Sequence, residues 1–230
     1  LYILLAIMIA FLAWLFVRTL RFSRQKFAAL AVPAWSRPAL GGLILGIVVV
    51  PLLVLVGPRF GRDGQGLGLL GGGYGAAQVA ITGAPWLPAG WGAVAFLAAL
   101  SIGKLVAASL TIGSGGSAGD FAPSLAVGGL LGGAFGRAAV LLFDLQDPEL
   151  VPGAFALVGM GAFYGGVAHA PLAALILVCE MAGNYDLLVP LMVALGVSYA
   201  SLRRTTLYEA QVASAPSAGR DAAPPPEAPV

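Results

Sequence analysis

The sequence predicts an all-α, polytopic membrane protein that combines full spans with short, tilted and re-entrant helices. Of its 230 residues, 59% are hydrophobic and 10% charged, with a mean hydropathy of +0.94; a soluble domain carries about 25% charged residues. Apolar runs near the length of about 20 residues that crosses a bilayer recur along the chain. Thirty-three glycines suit a tightly packed bundle, because small residues let helix backbones approach closely in lipid.

The elements follow in order. Residues 1–17 and 40–56 read as ordinary spans, the second bounded by Pro38 and by Gly57-Pro58. From 59 to 78 the chain is glycine-dense and too sparse in apolar residues for a span, so a short or re-entrant helix is expected near 66–82. Trp86 and Trp91, around Pro85, Pro88 and Gly90, suggest an interfacial turn with aromatic anchors. A span over 91–110 carries Lys104, whose burial is costly unless it faces a cavity or partner, or snorkels to an interface. After a glycine-rich break comes a span over 121–143 with a single charge, Arg137, then a polar turn at 144–149. Residues 153–180 are too interrupted for one straight helix, and Pro171 divides them into helices near 153–167 and 170–181. A turn at 184–186 precedes the last span, 187–201; residues 211–230 form an Ala/Pro/Ser-rich tail expected to be disordered and cytoplasmic.

Charge placement sets orientation. Arg18, Arg21, Arg24, Lys26, Arg37, Arg59 and Arg62 all precede the first acid, Asp63. The run at 18–26 reads as a basic loop facing the cytoplasm. A net charge of +2 is too small to suggest nucleic acid as a partner, and the soluble fold that such a reading of the basic run would need is absent. The lone Cys179 cannot build a disulfide framework or a thiolate metal site within one chain, and reads as a small buried hydrophobe. No cofactor or metal is called for. The chain opens on Leu1 and the basic residues follow the first apolar run, so it reads as a fragment or processed chain and not as one headed by a signal peptide.

The chemistry concentrates in the break Gly113-Ser-Gly-Gly-Ser-Ala-Gly-Asp-Phe-Ala-Pro123. Backbone at membrane depth leaves helical geometry only where protein or a water-filled cavity satisfies its polar groups. The helix that starts there presents unpaired N–H groups and a positive dipole end, which suits an anion without any cationic side chain.

The pentapeptide Gly119-Asp-Phe-Ala-Pro123 resembles the Gly-x-Phe-x-Pro signature of the CLC chloride channels and chloride/proton antiporters. A second block, with Gly159-Met-Gly-Ala, Ala170-Pro-Leu, Glu180-Met and Asn184-Tyr185 in order, is similar to that family's later run. The resemblance reaches over about 1–210 and matches the second of the family's two inverted repeats. It implies anion transport by a homodimer with one pathway per subunit, multi-pass in a bacterial plasma membrane, with chloride and in some members protons as transported ions. By the same resemblance the anion is held by the region of Gly119, by the amides of Asp120 and Phe121, and by the hydroxyl of Tyr208. The helices after Ala170 are implied in the dimer contact. The family's serine hydroxyl and its gating and proton-transfer glutamates come from its first repeat. This chain departs from the pattern at Asp120, where an aliphatic residue is usual. A carboxylate there opposes an anion unless it turns away or is protonated, and capping of the new helix by its side chain is the expected role. For Glu180, packing or helix-end pairing is expected in place of proton transfer.

Two other classes compete. Gly115-Gly-Ser117-Ala-Gly119 fits Gly-x-Ser-x-Gly, and His169 is the only histidine, so an intramembrane serine protease is conceivable, although the strand-to-helix context of that motif is absent. A structural membrane subunit that packs without transporting is the other alternative.

Overall fold

The computed structural model describes residues 1–56, 68–143, 152–183 and 185–208. Eight α-helices follow one another in that portion: α1 Tyr2–Ala28, α2 Arg37–Val56, α3 Tyr74–Thr82, α4 Trp91–Gly113, α5 Phe121–Phe143, α6 Pro152–Val167, α7 Pro171–Ala182 and α8 Leu188–Ser201. A short 3-10 turn, Ala34–Ser36, leads into α2. By length and composition α1, α2, α4 and α5 are able to cross a membrane, whereas α6, α7 and α8 are apolar but shorter. The polar turn at 144–149, the tail beyond 208 and residues 57–67 of the glycine-dense stretch lie outside the described residues.

The first helix corrects one expectation. Residues 18–26 are not a loop: α1 runs unbroken to Ala28. Arg, Leu, Gln and Lys are good helix formers, and the segment is amphipathic, with Leu20, Ser23 and Phe27 buried while Arg18, Arg24 and Lys26 face outward. The third helix is also shorter than expected. Gly68, Gly71 and Gly73 adopt φ of 78°, 65° and 87°, a left-handed run that delays the start of α3 to Tyr74. The division at Pro171 is as expected, with Pro171 opening α7 after a break in which His169 has φ 55°.

Packing is densest between α5 and α6. Gly128 and Gly159 meet at their crossing, and a Cβ on either would strike the other's carbonyl oxygen. The main core lies inside this pair, α1 and α8, where Phe155 and Phe163 are fully buried. The Tyr2 ring stacks on Phe155 at 4.8 Å, and Phe16 meets Phe163 at 5.8 Å. Buried hydroxyls bridge helices: Ser101 donates to the Val127 carbonyl at 2.9 Å and Ser198 to Ala162 at 2.8 Å. The half-buried Arg137 of α5 donates to the Ala80 carbonyl at 3.2 Å, satisfying an acceptor in the last turn of α3.

Candidate anion site at the start of α5

Between α4 and α5 the chain turns back on itself by local hydrogen bonds. The amides of Ser114, Gly115 and Gly116 donate to Leu110, Ile112 and Thr111 at 3.0, 3.1 and 3.1 Å. Gly115 needs its lack of a side chain here, because φ is 91°. The turn ends at Asp120, whose carbonyl accepts from both the amide and the hydroxyl of Ser124, at 3.1 and 2.6 Å. Pro123 has no N–H to give. The amides of Asp120 and Phe121 donate to no acceptor among the described residues. The Ala122 amide likewise donates to no acceptor among the described residues, so three N–H groups at the positive end of a 23-residue helix are left available, the arrangement that favours an anion.

Tyr208 is brought to this place from 88 residues away, and its hydroxyl donates to Asp120 Oδ1 at 3.2 Å. Its segment is held by a chain of contacts that the sequence does not reveal. The Leu207 amide donates to the carbonyl of Val167, the last residue of α6, at 3.0 Å; the Thr206 hydroxyl donates to the same oxygen at 3.4 Å. Arg21 of α1 donates to the Thr206 carbonyl at 3.3 Å. Burial, and then the charge of Asp120, push the Tyr208 hydroxyl up from the usual phenol value, so it stays a donor at neutral pH. The Phe121 ring meets Tyr164 of α6 edge-on, with centroids 4.8 Å apart, which fixes the first residue of α5 against its neighbour.

Two expectations change at this site. The Asp120 side chain does not cap α5; its hydrogen bond is the one from Tyr208. The physical reason is the arrival of a donor from outside the helix, which offers the carboxylate a partner that α5's own first turn does not. Gly119 is not sterically required by the described residues, since a Cβ would meet nothing within 4 Å and its φ is not left-handed. The glycine on which the turn depends is Gly115.

The remaining candidates are placed plainly. Ser117 is exposed and His169 is turned to Leu202, its Nε2 3.1 Å from that carbonyl and its ring 5.5 Å from Tyr199. The two make no hydrogen bond with each other, so no nucleophile-base pair is formed. Glu180 accepts from the Tyr185 hydroxyl across the turn that follows α7, a helix-end pairing that also raises the Tyr185 pKa. Cys179 is buried at 2% exposure among aliphatic neighbours. Lys104 does not snorkel to an edge. It is 2% exposed, and its Nζ donates to the carbonyls of Leu69 and Gly71, pinning the glycine turn before α3 to the middle of α4.

The profile described as Voltage gated chloride channel matches residues 1–203. The chain belongs to the voltage-gated chloride channel family. Within that family, the H(+)/Cl(-) exchange transporter ClcA of Vibrio parahaemolyticus is 35% identical over 193 residues, 84% of this chain and 37% of that protein. ClcA of Salmonella agona is 39% identical over 145 residues, covering 61% of this chain and 29% of that protein. A crystal structure of a slow cyanobacterial Cl-/H+ antiporter superposes with a TM-score of 0.65 at 27% identity, covering 88% of this chain and 42% of that one. The chain thus spans about 37% of the length of these Vibrio exchange transporters.

Proposed function

We propose that residues 1–210 are the second inverted repeat of a chloride transporter, and that the anion is held between the Asp120 and Phe121 amides and the Tyr208 hydroxyl. The observation that carries this reading is the convergence of Tyr208 on the start of α5, where these amides lack acceptors. Electrostatics supports it: N–H dipoles and a neutral hydroxyl hold an anion without trapping it as a full positive charge would. The relatives that carry the names of exchangers favour chloride/proton exchange over passive conduction. Homodimerisation through α7 and α8 is part of the proposal. It is supported by their outward aliphatic residues, with Leu172 at 74%, Ile176 at 61% and Val189 at 69% exposure.

The test is chloride efflux from liposomes containing the full-length parent, with external pH recorded. Chloride release accompanied by proton uptake is expected, and it should be unaffected by Ser117→Ala. Absence of chloride flux in a folded parent would refute the proposal.

A further inference from the structure

Lys104 raises a question that its two hydrogen bonds do not answer. An ammonium has three N–H donors, and the protein supplies acceptors for two, the carbonyls of Leu69 and Gly71. Carbonyl dipoles solvate a cation without neutralising it, and a buried charge lacking a counter-charge is costly. The carboxylates among the described residues are Asp120, Glu180 and Asp186. Asp120 accepts from Tyr208 and Glu180 from Tyr185, and no carboxylate among them pairs with Lys104. Beside the ammonium lies a cavity of about 130 Å³, whose wall includes Lys104, Thr111, Ala118 and Pro123. A water occupies about 30 Å³ of liquid, so this space takes a small ion together with water.

The cavity also has a telling position. Ala118 and Pro123, which flank Asp120 and Phe121 in the chain, are part of its wall, so it lies beside the break that leads into α5, with aliphatic residues of α2 and α4 making up most of the rest.

We propose that the Lys104 cavity is a second anion site, which holds a halide-sized monovalent anion as the counter-charge of the ammonium beside the start of α5. Its place as a station on a transport path rests on the function proposed above; the binding itself does not. The competing explanation is that Lys104 only clamps the turn at 68–73. Charge separates the two: Lys104→Gln keeps N–H donors for the carbonyls and removes the charge, whereas Lys104→Arg keeps both.

Bromide-soaked crystals of the full-length parent, measured at the bromine absorption edge, test this directly. An anomalous peak in the cavity against Nζ is expected. It should need about tenfold more bromide in Lys104→Gln, the loss of one charged hydrogen bond, and return in Lys104→Arg. A peak at the Asp120 and Phe121 amides with none at Lys104 would overturn the second site and leave the proposed function standing. A Lys104 peak without one at the amides would do the reverse. A cavity peak that persists undiminished in Lys104→Gln would mean an adventitious ion only, and would also overturn the inference.

Discussion

At the residue scale, the contact between Tyr208 and Asp120 reshapes how the anion site works. A hydroxyl has one proton to donate, and in this structure the chain's own carboxylate receives it. In the proposed site chloride takes that donor from Asp120, so the carboxylate would compete with the anion as well as repel it. Asp120→Val should therefore tighten chloride binding about tenfold, the scale of one charge-assisted hydrogen bond. Tyr208→Phe should weaken it about fivefold, the scale of one neutral bond. Both are read as the half-saturating chloride concentration of flux in the full-length parent; no change in Asp120→Val would show that the carboxylate is a bystander. The Gly-x-Phe-x-Pro pattern marks Asp120 and Phe121 in the sequence, and Tyr208 is marked by its place after the last span through the family resemblance. The hydrogen bond from Tyr208 to the Asp120 carboxylate is not legible there, because it depends on Arg21, Thr206 and Val167 holding the segment across long chain separations, and none of these carries a motif.

At the element scale, hydropathy and glycine spacing located every described helix, and errors fell at ends where charge and backbone conformation decide. The basic stretch at 18–26 has the charge density of a loop, but its buried Leu20, Ser23 and Phe27 fall at the helical repeat that carries α1 onward. α3 starts at Tyr74, later than the sequence predicts, because the left-handed glycines at 68, 71 and 73 are indistinguishable in sequence from helical ones. The α5 and α6 crossing depends on glycine in a stronger sense. A side chain at Gly159 strikes the Gly128 carbonyl and backbone of Gly132, and backbone cannot yield as a side chain end does. Gly159→Val should cost about 1–3 kcal/mol or more, as overpacking does, and lower the unfolding midpoint of the detergent-solubilised parent. Gly42→Ala on α2, at a position where a Cβ meets nothing within 4 Å and outside the proposed dimer face, is the control that should leave the midpoint unchanged.

At the scale of the whole molecule, the helices arrange themselves around one break in the membrane-spanning pattern. α4 and α5 stop and start there, α6 braces Phe121 through Tyr164, and the segment after α8 delivers Tyr208. The claim that joins these observations is that backbone amides at the start of α5 bind the anion. Proline at the first position of a helix removes its N–H with little harm to the helix, so Phe121→Pro deletes one of the free donors. Phe121→Ala removes the ring against Tyr164 and keeps the N–H, which isolates the amide from the side chain. Calorimetric chloride titration of the full-length parent should show Phe121→Ala within a few-fold of wild type and Phe121→Pro weaker than Phe121→Ala by about tenfold or more. Equal affinities in folded Phe121→Pro and Phe121→Ala would contradict the account.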